Sequence, residues 1–331
     1  MEPLPGYALD LTALAAQLTA KGIRRVAVQL PEGLRHRHAA LVAALEQAAS
    51  VEVVYLADHT FGACDLVTDL RPLGAQALVH IGHNQIHATP GQLTIYVPLE
   101  SLHPIDEVVS AALPSLHSPV VLCTTSQHLP KLPTMIRILE GAGLEVRTAA
   151  GGRGCEAGQV LGCHYGAVRN IAAGAASVLF VGSGEFHPLG LALATDLPLV
   201  VADPYTNEVR TVATTRDRIL RQRSAAIAKA AQATHWGVIV GTKSGQIRTA
   251  QGVRCREQLR TAGHQVELLA VATLSPELLL GFPQQAFVSV SCPRIAIDDA
   301  TRYDRPILTP PELEICLGTR AWEDYLFDEF P

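Results

Sequence analysis

Short apolar runs rich in β-branched residues alternate along this chain with stretches whose apolar positions recur at helical spacing. Leu9, Leu11, Leu14, Ala15 and Leu18 predict a first helix over 7–22. Arg25–Leu30 reads as a strand, residues 35–49 as a helix, and Val51–Ala57 as the next strand. Ala77–Ile81 and Thr94–Val97 are the third and fourth strands. A second round opens at Pro119–Cys123 and continues through a helix at 129–142 and Leu144–Val146. Gln159–Leu161, Val178–Val181 and Leu199–Ala202 complete its strands, and a helix with basic residues over about 208–232 leads out of it. A third round runs from Gly237–Val240 through a helix at 247–261 to Val266–Leu269, Ala286–Val290 and Pro306–Thr309, and the segment Glu312–Gly318 closes the chain. Strands alternating with helices make parallel βαβ units. The expectation is an α/β protein of three similar Rossmann-like domains with parallel sheets, over 1–115, 116–228 and 229–331. The repetition is architectural, without strong sequence self-similarity.

Polar clusters fall almost entirely just after the strands, and in open parallel sheets ligands bind outside the carboxyl ends of strands. Three cysteines stand at such exits, one in each third of the chain. Cys64 lies in Asp58–Asp65, after Val51–Ala57; Cys163 lies in Leu161–Gly166, after Gln159–Leu161. Cys292 lies in Ser291–Asp299, after Ala286–Val290, where Pro293 removes a ladder donor and stops the strand. A single cysteine of this kind reads as a buried thiol. Three thiolates brought to one point make a metal or cluster site. A structural zinc site wants four ligands with a close pair, and no C-x-x-C exists here. A [4Fe–4S] cluster normally takes four thiolates, so three leave one iron open to a substrate. Cys123 and Cys255 read as core thiols, Cys316 has no polar cluster around it, and Cys155 sits in a glycine-rich loop as a spare thiol.

Composition narrows the class. Of 331 residues 48% are hydrophobic and 17% charged, which supports a buried core and excludes disorder. A net charge of −5 argues against a general nucleic-acid binder, which needs a basic face. Seven cysteines show no disulfide framework, and Met1–Pro5 lacks the regions of a signal peptide. No apolar run is long enough to span a bilayer. The expectation is a reduced, cytoplasmic protein.

The segments Gln29–Leu34, Asp58–Asp65, His80–His83, Gly162–Cys163, Phe186–Gly190, Asp203–Tyr205 and Ser291–Asp299 occur here in a fixed order spread over nearly the whole chain. In that order the chain resembles the archaeal-type 2-(3-amino-3-carboxypropyl)histidine synthase family, which carries out the first step of diphthamide biosynthesis. The resemblance implies three cluster ligands, Cys64, Cys163 and Cys292, in a pseudo-threefold arrangement around a central [4Fe–4S] cluster. It further implies S-adenosyl-L-methionine as co-substrate, cleaved at the bond from sulfur to the methionine γ-carbon. The 3-amino-3-carboxypropyl radical then adds to imidazole carbon 2 of a histidine on translation elongation factor 2. An electron donor and a homodimer are implied as partners. The C-x-x-x-C-x-x-C loop of ordinary radical enzymes of this co-substrate is absent, as the family's atypical mechanism requires. His59 and His164 depart from the family pattern, and neither removes a ligand.

Contacts to S-adenosylmethionine are assigned to Thr242, Lys243, Gly245, Gln246, His187 and Asp203. The segment Gly241–Gln246 joins a strand to a helix, so its amides can receive a carboxylate at a helix N-terminus, with Lys243 pairing the charge. An ordinary glycine-rich turn is the alternative. Glu185 and His187 either face the substrate or flank a helix start shaped by Pro188. Asp203 and Tyr205 either touch the ligand or cap their loop. His80, His83 and His187 read as hydrogen-bonding loop residues rather than iron ligands. Two rival functions remain: a quinolinate synthase-like dehydratase with one three-cysteine cluster, and a non-catalytic cluster-bearing subunit that passes electrons.

Overall fold

The computed structural model describes residues 3–330. Strand β1 (Tyr7–Ala8) opens the chain and belongs to a small ribbon described below. The first sheet holds β2 (Arg25–Gln29), β3 (Glu52–Tyr55), β4 (Ala77–Ile81) and β5 (Thr94–Val97), all parallel, in the order β3-β2-β4-β5. β6 (Glu100–Ser101) pairs antiparallel with β1 to complete the ribbon. The second sheet is built from β7 (Val120–Thr124), β8 (Val146–Arg147), β9 (Ser177–Val181), β10 (Leu199–Asp203) and β11 (Glu208–Thr211), ordered β11-β10-β9-β7-β8. The third, again all parallel, contains β12 (His235–Gly241), β13 (Gln265–Val271), β14 (Ala286–Ser289) and β15 (Ile307–Leu308), ordered β13-β12-β14-β15. Within each sheet the second strand flanks the first on one side and the third flanks it on the other. Each sheet thus has a topological switch point between its first and third strands, where a crevice opens at the strand carboxyl ends.

The residue patterns explain the layering. β4, β7, β9 and β10 are buried along their whole length, as expected of strands covered on both faces. The helix Leu11–Ala20 is capped by Asp10, whose carboxylate accepts the Ala13 amide at 2.8 Å, and it turns Leu14, Ala15 and Leu18 onto the first core. The helix Asp106–Ala112 buries Val108, Val109 and Ala112 against the second sheet, not the first. The long helix Ala213–Ala230 spans two cores, with Ile219 in the second and Ile227 and Ala230 in the third. Its buried Arg223 forms a two-pronged ion pair with Glu312, at 2.7 and 2.6 Å, and also donates to the carbonyls of Ala296 and Ile307. No described helix is long and apolar enough to cross a membrane.

Three expected elements differ. Gln159–Leu161 is not a strand; it makes single bridges, Thr124 to Gln159 and Leu161 to His164. Flanking Gly158 and Gly162 hold it as a loop pinned at both ends. The first part of the expected helix 208–232 is instead the antiparallel strand β11, because Val209 and Thr211 extend against β10 after a left-handed turn at Asn207, φ 56°. The start of the 7–22 helix is likewise the strand β1.

Candidate metal centre

After β3 the chain runs extended to a single 3₁₀ turn, Ala63–Asp65, which carries Cys64. Asp65 is buried and organises the loop. Its carboxylate accepts the Phe61 amide at 2.9 Å, Lys243 Nζ at 2.8 Å and Gln246 Nε2 at 3.1 Å, while its carbonyl accepts Gln29 Nε2 at 2.9 Å. Gln246 reaches two cysteine loops at once: its Nε2 lies 3.7 Å from Cys64 Sγ, and its Oε1 accepts the hydroxyl of Ser291, next to Cys292, at 3.0 Å. Glycine is needed at 245, since a Cβ there would stand 2.4 Å from Cys64 Cα.

Cys163 belongs to a long loop after β8 that is fastened by the C-terminal tail. The Phe330 amide donates to the Cys163 carbonyl at 3.0 Å, and the ring of His164 lies 2.9 Å from the Phe330 carbonyl and 2.5 Å from that of Gly151. Glu329 accepts the Tyr165 amide at 3.0 Å and Arg169 at 2.5 Å. Asp328 pairs with Arg248, whose guanidinium also donates to the Val290 carbonyl and lies 4.4 Å from the Phe330 ring centre. Gly162 lets Phe186 lie against the loop, since a Cβ there would meet the ring at 1.7 Å.

Cys292 follows β14 in extended conformation and stands at the N-cap position of the short helix Pro293–Ile297, without a side-chain capping bond. Arg294 of that helix is buried, pairs with Asp298 at 2.5 Å, and lies 4.2 Å from the Phe186 ring centre, against the Cys163 loop.

The three thiols are partly exposed, yet each is strongly desolvated, and burial pushes each up to about 12. Each also senses another: Cys64 senses Cys292, Cys292 senses Cys163, and Cys163 senses Cys64. Each thiol therefore lies within electrostatic reach of another, with Lys243 and Arg294 among the nearby positive charges. Among the described residues no three His, Cys, Asp or Glu side chains are close enough to share a single metal ion. Cys123 and Cys255 are core residues, as expected, and Cys155 is buried beside Cys163.

Of the residues assigned to co-substrate binding, Lys243 and Gln246 border the thiols, but their charge and amide serve Asp65, and Gly245 serves Cys64. The Thr242 amide continues the sheet to the Val271 carbonyl at 2.8 Å. The anticipated helix N-terminus is displaced: a 3₁₀ turn, Ser244–Gln246, intervenes, and the helix begins at Thr249. His187 is half-buried between Phe180 and Phe186, and burial, then Arg294 and His83, depress it to about 3. Asp203 accepts the Tyr205 amide at 2.9 Å, and Tyr205 hydrogen-bonds Ser101 and Tyr7; no described interaction ties either to the thiols. His80 and His83 are hydrogen-bonding residues, their rings 3.0 Å apart at Nε2 and Nδ1. The sequence pattern assigns no role to Asp65, Gln29, Arg248 or the tail. Asp65 adjoins Cys64 and was findable; Arg248 and the tail carry no local signal.

The model of a family described as putative diphthamide synthesis protein matches residues 30–326. The chain is 37% identical to the 2-(3-amino-3-carboxypropyl)histidine synthase of Pyrococcus horikoshii, over 98% of this chain and 94% of that protein. It is 29% identical to subunit 1 of the human 2-(3-amino-3-carboxypropyl)histidine synthase, over 91% of this chain and 69% of that one. A crystal structure of Dph2 from Pyrococcus horikoshii with a 4Fe-4S cluster superposes with a TM-score of 0.89 at 35% identity, covering 97% of this chain and 94% of that one. A family model spanning most of the chain and a relative 37% identical over nearly its whole length lead to one conclusion: the chain belongs to the diphthamide synthesis family.

Proposed function

We propose that Cys64, Cys163 and Cys292 hold one [4Fe–4S] cluster on which this enzyme carries out the first step of diphthamide biosynthesis. That step transfers the 3-amino-3-carboxypropyl group of S-adenosylmethionine to imidazole carbon 2 of a histidine on translation elongation factor 2. The carrying observation is that three cysteine loops from separate sheets are tied together: Gln246 links Cys64 to Ser291 beside Cys292, and Arg294 beside Cys292 lies on Phe186, which packs on Gly162 beside Cys163. The donor set fits the group: soft thiols, desolvated and so costly to ionise alone, gain a partner for their charge when a cationic cluster binds. Three thiolates leave one iron without a protein ligand, and the reduced cluster supplies the electron that breaks the bond from sulfur to the methionine γ-carbon.

The chain's own residues do the rest. Asp65, Lys243 and Gln246 fix the Cys64 loop against the Cys292 loop, and Arg294 with Phe186 sets the Cys292 helix against the Cys163 loop. Thr242, Lys243, Gly245, Gln246 and His187 remain the candidate contacts of the co-substrate, with Lys243, already paired with Asp65, the cation nearest Cys64. Asp203, whose carboxylate accepts the Tyr205 amide, completes the set. We place the three units at 1–115, 116–228 and 229–331, with Asp106–Ala112 packed onto the second core. Their pseudo-threefold symmetry is imperfect: Cys64 and Cys163 follow the second strand of their sheets, whereas Cys292 follows the third. A homodimer, an external electron donor and a cytoplasmic setting complete the reading.

Anaerobic reconstitution with iron and sulfide, followed by reduction in the presence of S-adenosylmethionine and elongation factor 2, tests it. Methylthioadenosine and a modified histidine are expected. Release of 5′-deoxyadenosine would contradict the reading.

A further inference from the structure

Attaching a carbon group at imidazole carbon 2 displaces the hydrogen that this carbon carries, and the proton needs an acceptor. A hydrogen-bonded relay beside the thiols ends in an unprotonated nitrogen. Gln29 Nε2 donates to the Asp65 carbonyl at 2.9 Å, and a carbonyl accepts only, so the amide orientation is fixed. Gln29 Oε1 therefore faces His80 Nδ1 at 3.3 Å and requires a proton there. With its proton on Nδ1, neutral His80 has a lone pair on Nε2, which accepts from His83 Nδ1 at 3.0 Å. The remaining ring nitrogen, His83 Nε2, is left as a lone pair. His83 is half-buried, and its one described hydrogen bond is at Nδ1.

Position agrees with this chemistry. His83 leaves the end of β4, at the switch point of the first sheet. It senses the Asp65 carboxylate beside Cys64, and His187, at the Cys163 side, senses His83. The neighbouring Asn84 reaches Gln159 of the second unit at 3.0 Å, and His87 reaches Ser244 of the third at 3.0 Å. The loop therefore lies where the three units meet. Burial keeps both rings neutral, depressing His80 to about 3 and His83 to about 4. His187 lacks a comparable relay.

Resting on the transferase reading, we propose that His83 Nε2 accepts the carbon-2 proton of the acceptor histidine. The new carbon–carbon bond joins the γ-carbon radical to carbon 2. The resulting ring radical passes one electron to a one-electron acceptor, the iron–sulfur centre oxidised when the sulfonium was cleaved. The carbon–hydrogen electron pair stays in the ring and restores its aromaticity, while the proton moves to His83. Gln29 and His80 are positioning residues that select the tautomer.

The test uses reconstituted full-length His83→Gln protein with elongation factor 2, reading methylthioadenosine and modified histidine separately. Transfer is expected to fall by about 100-fold, the low end for a positioned base, while methylthioadenosine release falls far less, so the two products uncouple. Acceptor protein deuterated at imidazole carbon 2 should show an isotope effect in the variant larger than in the parent. Equal loss of both products, or transfer within about threefold of the parent, would overturn the proposal while leaving the transferase reading intact. No methylthioadenosine from the parent would instead remove the reading itself. Nitrogen-15 NMR of the cluster-free parent gives an independent decision: Nε2 of His83 should be unprotonated at pH 7, and a proton on it would refute the relay.

Discussion

The Cys64 and Cys163 loops, proposed to share one cluster, are held in place by different means. The Cys64 loop is locked by side chains of another unit: Asp65 takes a lysine and a glutamine from the third, and Gly245 lets backbone meet backbone. The Cys163 loop is also held from the third unit, but by its C-terminal tail, with Glu329 supplying a carboxylate and Phe330 its carbonyl and amide. The first is a buried charge assembly, costly to break but small. The second adds apolar burial, since Phe327 and Phe330 are both inside. A ligand loop without regular structure needs such external ties, because its backbone groups have no ladder to satisfy them.

Removing the tail should have the largest effect. Truncation after Leu326 forfeits two buried phenylalanines, at about 1.5–3 kcal/mol each, and unpairs Arg248. Urea unfolding should show a loss of roughly 4–6 kcal/mol on the same grounds, with cluster retention abolished. An unchanged midpoint would mean that the tail is ornamental. Asp65→Ala comes next: it strands Lys243, whose side chain is only 22% exposed, and should cost about 3 kcal/mol. Here Cys64 should become quickly alkylated in the cluster-free protein while Cys163 stays slow; equal rates would erase the contrast between the loops. Gly245→Ala should cost about 1–3 kcal/mol through overpacking against Cys64. Iron content should drop although circular dichroism is preserved.

Acid should give the smallest and most selective effect. His80 is fully buried and neutral, with a folded value near about 3, whereas an unfolded chain holds it near about 6.5. Between those values the unfolded chain binds more protons. The stabilisation is therefore complete above about 6.5 and is lost progressively as pH falls toward 3. Since His80 supports Gln29 and through it Asp65, hydrogen exchange corrected for intrinsic rate should rise at 58–66 between pH 7 and pH 5, and less at 160–166. The reverse order would contradict the relay.

The legible and illegible parts divide along the same line. β2, β4, β7 and β12 were readable because a strand covered on both faces is a continuous apolar run, and the cysteines because thiols at strand exits are sparse. Gln159–Leu161 misled because three apolar or amide residues between glycines look like a strand whichever way their ends are tied. β11 was hidden because edge strands carry alternating charge, as Glu208 and Arg210 do, and so resemble a polar helix face. Lys243 looked like a ligand for an anion, and it does bind one: the protein's own Asp65, 178 positions away, which no local pattern discloses. The switch in cysteine placement, from second strand to third, was invisible without strand order.

The central claim is that three thiols on three sheets grip one inorganic core. Iron and sulfide content after anaerobic reconstitution of Cys292→Ala, beside Cys255→Ala, tests it most directly. The account expects about four irons per chain with Cys255→Ala, a core substitution, and a lost or degraded cluster with Cys292→Ala. A full, stable complement in the Cys292→Ala protein would contradict it.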